Sequence, residues 1–119
     1  MSFTYVKVRV YNPADTSKSD VVELLIDTGA VFTSIPRSIL EKLGLKPLGR
    51  RKLRVYGGGI VERDVGVAVF EYENTRAGAP VIFSEPEDTL VLGVTSLEAL
   101  GYQVDPVTKK LKPRELLMI

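Results

Sequence analysis

Val21 to Pro36 reads VVELLIDTGAVFTSIP, and the carboxylate inside it decides how the chain is read. Val21 to Ile26 is an apolar run interrupted only by Glu23. Towards its end it is apolar on both faces, which suits a central, buried strand. The run delivers Asp27, then Thr28 and Gly29, before apolar character resumes. An isolated ionised carboxylate is costly to bury, so Asp27 needs hydrogen bonds, a charged partner or a proton.

Working outward, 119 residues suffice for one domain around one core, here taken to span 1–119. Apolar residues make up 45% and charged residues 26%, an ordinary globular balance. The net charge of +1 gives no reason to expect a nucleic-acid or anionic-membrane partner. There is no Cys and no His. Disulfides, thiolate zinc sites, cysteine nucleophiles and imidazole catalysis are thereby excluded. No acidic cluster has ligand-like spacing, so a carboxylate metal site is not expected, and nothing in the sequence calls for an organic cofactor. The start, MSFTYVKVRVYN, alternates instead of forming the apolar core of a signal peptide, and no run reaches transmembrane length. The expected location is cytoplasmic.

The remaining pattern is mostly β. Phe3 to Tyr11 alternates as a strand, and Asn12 to Asp20 reads as a polar loop. After Asp27 a helix is expected, with Pro36 in its first turn, Ser34 or Ile35 at the cap and Gly44 at the stop. Arg50, Arg51, Lys52 and Arg54 read as a solvated strand edge, where charge blocks unwanted pairing. LRVYGGGIVERDVGVAVFEY reads as two strands joined at Gly57, Gly58 and Gly59. ENTRAGAP reads as a loop, Val81 to Phe83 as a short strand, and Leu90 to Leu92 as another that ends at Gly93. Thr95 and Glu98 have capping-box spacing for a short helix closed by Gly101. VDPVTKKLKP is a turn between strand-like residues, and the chain ends on the apolar LLMI.

With these motifs in order, the chain resembles the retropepsin-like aspartic proteases, the single-lobe retroviral type. LLIDTGA (Leu24 to Ala30) is similar to their catalytic loop, YGGGI (Tyr56 to Ile60) to their flap, and LVLGVTSLEALG (Leu90 to Gly101) to the segment supporting that loop. The resemblance implies a closed, barrel-like acid-protease fold with two short helices and one lobe per chain. It makes Asp27 the catalytic aspartate, Thr28 the hydroxyl residue linking two catalytic loops, and Gly29 the motif glycine. Ala30, Tyr56, Gly57, Gly58, Gly59 and Ile60 become the expected substrate-binding positions, although a tyrosine packed in its strand is also a natural reading of Tyr56.

Hydrolysing a peptide bond with carboxylates alone takes two of them. One is ionised and takes a proton from water, and the other is protonated and polarises the carbonyl. Held close, the two share a proton, for which aspartic proteases are the standard example. The sequence has one DTG and no second aspartate in DTG or DSG context. The expectation is therefore a homodimeric endopeptidase with one Asp27 per chain, acting on a peptide or protein substrate. Leu116 to Ile119 would pair with the partner's chain end. The alternative of another class is a catalytically silent dimerisation or peptide-binding module on the same scaffold.

Overall fold

The computed structural model describes residues 4–119. Met1 to Phe3, including the first residue of the expected leading strand, lie outside the described residues. The elements in order are β1 (Tyr5–Asn12), β2 (Asp15–Ile26), β3 (Thr33–Pro36), α1 (Arg37–Lys42), β4 (Gly49–Arg54) and β5 (Ile60–Tyr72). Then follow β6 (Thr75–Ser84), β7 (Val91–Leu92), α2 (Val94–Leu100), β8 (Tyr102–Val104) and β9 (Leu111–Pro113). Seven strands form one sheet in the order β3-β6-β5-β1-β2-β7, with β4 branching from β5, and β8 and β9 make a separate hairpin.

Alternation on the strands builds the core. Val8 and Val10 of β1, Val22 and Leu24 of β2, Ala68 and Phe70 of β5, and Val81 and Phe83 of β6 all point into one cluster. Leu40 of α1 and Leu97 and Leu100 of α2 complete it. Among the described residues the protein is thus mostly β, with two short helices in one lobe. No helix among the described residues is long and apolar enough to cross a membrane.

The expected closed barrel is not formed. Among the described residues the sheet is open, with β3 and β7 at the two ends of its path. β7 is only two residues long, because Gly93 turns the chain into α2 before a further ladder can form. The two ends are instead tied by a side chain: the Gly93 N–H donates to Thr33 Oγ1 at 3.0 Å.

Several local expectations change too. The loop expected over Asn12 to Asp20 is a tight turn, with Asn12 Oδ1 accepting the Ala14 N–H at 2.8 Å. β2 already begins at Asp15, and its first half is polar because it is exposed. ENTRAGAP is no loop either. Glu73 and Asn74 both take positive φ, a two-residue hairpin turn that sends Thr75 straight back against Tyr72. Ser34 and Ile35 do not cap α1. They lie in β3, parallel to β6, and Pro36 holds the N-cap position without a side-chain cap.

Candidate active site

Asp27 stands directly after β2, on a loop fixed by its neighbours' backbones. Its N–H donates to the Leu92 carbonyl at 3.1 Å, continuing the parallel β2–β7 pairing by one residue. Its carboxyl Oδ1 accepts the Gly29 N–H at 2.9 Å, and its carbonyl accepts the Ala30 N–H at 3.1 Å. The chain thus folds back on the carboxylate and orients it. Asp27 is half-buried, while Thr28 and Gly29 are exposed. The strand therefore brings the carboxylate to the surface instead of sealing it inside.

The next turn of chain holds α2. The Val94 and Thr95 N–H groups donate to the Ala30 and Val31 carbonyls at 2.8 and 3.1 Å. These bonds satisfy donors that every helix start leaves open. They also replace the expected Thr95–Glu98 capping box: α2 begins at Val94, with Gly93 at the N-cap and no side-chain cap. So close an approach requires Gly93. A Cβ there would lie 2.5 Å from the Phe32 carbonyl carbon and oxygen. Beneath the loop, Thr33 Oγ1 and Ser96 Oγ are hydrogen-bonded at 2.6 Å, both fully buried.

Above the loop, β4 and β5 form a hairpin whose tip is Val55 to Gly59. The Gly59 carbonyl accepts the Val55 N–H at 2.9 Å, and the Val55 carbonyl accepts the Gly58 N–H at 3.1 Å. Gly57 and Gly58 take φ of +100° and +96°, which a glycine adopts freely. A groove of about 740 Å³ runs between this hairpin and the Asp27 loop. Asp27, Gly29, Ala30 and Tyr56 all line it. Thr28, Gly57, Gly58, Gly59 and Ile60 do not line it; the three glycines are exposed at the tip and Ile60 is exposed at the start of β5. Tyr56 is fully exposed at the groove's edge, so the strand-packed reading does not hold.

The groove wall also holds residues the sequence reading did not single out as site residues. Phe32, Leu53, Val55 and Val61 give it an apolar surface, and Arg51 lies over the Phe32 ring at 5.3 Å. Alternation along β4 and β5 was the available signal, since Arg51, Leu53 and Val55 share a face. The other wall carboxylates are already engaged. Asp88 accepts from Arg63 at 2.7 and 2.8 Å, and Glu87 does so at 3.4 Å. The Arg63 guanidinium holds the Asp88 carboxyl below the usual carboxylate range, against the opposing effect of burial. Among the described residues, no group of three or more acidic residues is placed to hold a metal ion.

A family model described as aspartyl protease matches residues 7–96. No curated protein matches the chain. Among solved structures, the solution structure of simian foamy virus (mac) protease superposes with a TM-score of 0.55 at 19% sequence identity. The match covers 80% of this chain and 92% of that one, and at such identity the likeness shows the fold alone.

Proposed function

Since the chain belongs to the aspartyl protease family, whose model matches residues 7–96, we propose that it is an aspartic endopeptidase acting as a homodimer. The observation that carries the reading is the Asp27 loop. It presents one oriented carboxylate to a groove whose other carboxylates, Glu87 and Asp88, are committed to Arg63. The second carboxylate that the chemistry needs comes from the same loop of a second chain across a two-fold axis. Residues 1–119 act as one domain contributing half of the site.

The peptide lies extended along the groove beneath the glycine hairpin. The ionised Asp27 of the pair takes a proton from water as the water oxygen attacks the scissile carbonyl carbon. The protonated partner gives its proton to the carbonyl oxygen. The tetrahedral diol then collapses. The C–N bond breaks as the amide nitrogen takes the proton that the attacking water gave to Asp27, a diol hydroxyl returns its proton to the pair as the carbonyl re-forms, and the pair is left sharing one proton. Thr28 ties the two loops together, and Gly29 orients the carboxylate. Ala30 and Tyr56 contact the peptide from the groove wall. Gly57 to Ile60 close over it, excluding water and offering backbone hydrogen bonds.

The test is the Asp27→Asn variant assayed on an unfolded protein substrate from acid to neutral pH. Wild type is expected to cleave, and the variant to lose about 10³-fold or more of the rate. Equal cleavage by the two overturns Asp27 as the catalyst. If neither cleaves and a statine-type transition-state analogue fails to bind, the silent peptide-binding or dimerisation module is the better reading.

A further inference from the structure

The β4–β5 hairpin carries an unbalanced charge pattern on its groove side. In its register Arg51 lies opposite Arg63, and Leu53 opposite Val61. Residues paired across a ladder share a face, so two guanidiniums point the same way, an arrangement that is unfavourable unless each finds an anion. Arg63 has found two. It is bidentate to Asp88 and also reaches Glu87, with its side chain only 12% exposed. On the opposite face Arg50 is also matched, by Glu62 at 3.7 Å and Asp64 at 3.3 Å.

Arg51 makes no ion pair among the described residues. It is exposed, and its guanidinium lies 5.3 Å from the centre of the Phe32 ring. Stacking on an aromatic face fixes the guanidinium plane while leaving its N–H edge free. Lys52 and Arg54 lie at the groove's edge on the alternate face of β4, in register with Glu62 and Ile60 respectively. With Arg63 matched by Asp88 and Glu87, Arg51 is left as the guanidinium on the groove face of the hairpin without an ion pair among the described residues.

We infer that Arg51 determines specificity: it receives the carboxylate of an Asp or Glu side chain of the bound peptide, so the preferred substrates are acidic segments. The assignment rests on the groove being the peptide site proposed above. A planar guanidinium edge meets a carboxylate through two parallel hydrogen bonds. Closure of the groove over the peptide excludes water and strengthens the pair. Lys52 and Arg54 add a positive field that steers acidic peptides to the groove.

The experiment uses matched peptides that carry Glu, Gln or Lys at each position flanking the scissile bond in turn. Affinity is measured on the Asp27→Asn protein, and kcat/KM on wild type. At one position Glu should be favoured over Gln by about tenfold in both readouts, and over Lys by more. The preference should weaken as salt rises from about 0.05 to 0.5 M. Arg51→Glu should invert the order to favour Lys at that position alone. Lys109→Gln, on the hairpin turn between β8 and β9, should leave the order as in wild type. Equal affinity for Glu and Gln peptides everywhere, or a Glu preference that survives Arg51→Glu, overturns the inference. Preferential binding of Glu peptides without cleavage by wild type keeps the inference and overturns only the endopeptidase reading. No binding to any peptide overturns both.

Discussion

A Cβ on Gly93 would sit 2.5 Å from the Phe32 carbonyl carbon and oxygen and 2.9 Å from the Val31 carbonyl oxygen. These are backbone atoms, pinned by the Val94 and Thr95 N–H bonds to the same loop, so they have no rotamer by which to yield. Gly93→Ala is therefore expected to cost about 1–3 kcal/mol or more. For a domain near this size that lowers Tm by several degrees for each kcal/mol. Because the clash falls on the loop that carries Asp27, activity should fall further than the stability loss explains at a temperature where the variant remains folded. Thermal unfolding by circular dichroism together with kcat/KM checks both. A variant with wild-type Tm and rate would mean that the loop and α2 are not so tightly joined. At this scale the sequence disclosed what depends on missing atoms and on local order. Asp27 beside Gly29, Gly93 at the end of an apolar run and Gly101 at the close of α2 could all be placed from it. It could not disclose that Thr33 and Ser96 are hydrogen-bonded partners, because 63 residues separate them and neither has a local pattern that demands the other.

Among elements, the turn from Glu85 to Asp88 is fastened to the β4–β5 hairpin by the Arg63–Asp88 ion pair. Asp88 accepts the Glu85 N–H at 2.8 Å within the turn and the Arg63 guanidinium from β5. Arg63, the principal cause, and the Glu85 N–H hold the Asp88 carboxyl below its ordinary value, with burial opposing them. The folded protein therefore keeps Asp88 ionised at pH values where the unfolded chain has begun to protonate it. Its contribution is fully present above the unfolded value of about 4 and is lost as pH falls from there through the folded value. Asp88→Asn should cost about 1 kcal/mol near neutral pH. The gap in Tm between wild type and variant should close below about pH 4. A constant gap down to pH 2.5 would show that the carboxylate's charge is not what fastens the turn. Elements were legible where the pattern was strong, as in β5 and α2. They were missed where tertiary pairing overrode weak local signals. β3 is four residues long and hides in front of a helix, and its parallel pairing to β6 is a contact that no local sequence shows. The start of β6 is rich in small residues, and its Glu73–Asn74 turn uses left-handed residues without a glycine to mark it.

For the molecule as a whole, the decisive quantity is how many chains make one site. The expectation of a closed barrel came from family likeness, and it failed because strand closure depends on where β7 stops. The stoichiometric argument depends on different features: one DTG, and an apolar chain end. Leu116, Leu117, Met118 and Ile119 are 60, 94, 92 and 108% exposed. Four consecutive large apolar side chains left in water are unusual, since burying each would contribute about 1.5–3 kcal/mol. In a single chain this segment has little to pack on. Leu116 lies close to Gly101, where a Cβ would meet its side chain at 3.9 Å. Supplied by two copies, the segments could bury one another and hold the two Asp27 loops together. Deleting Leu116 to Ile119 is therefore expected to shift the molar mass in solution from about twice 13.1 kDa to the single-chain value at micromolar concentration. The monomer's secondary structure should survive, because none of the four residues belongs to the buried core. Proteolytic rate should then become strongly concentration-dependent and recover as the protein is concentrated, because the site is re-formed by mass action. Light scattering and a rate series over a hundredfold range of concentration decide it. A deletion variant that keeps the wild-type mass would place the dimer contact elsewhere. A fully active monomer at every concentration would remove the shared pair of Asp27 carboxylates from the mechanism.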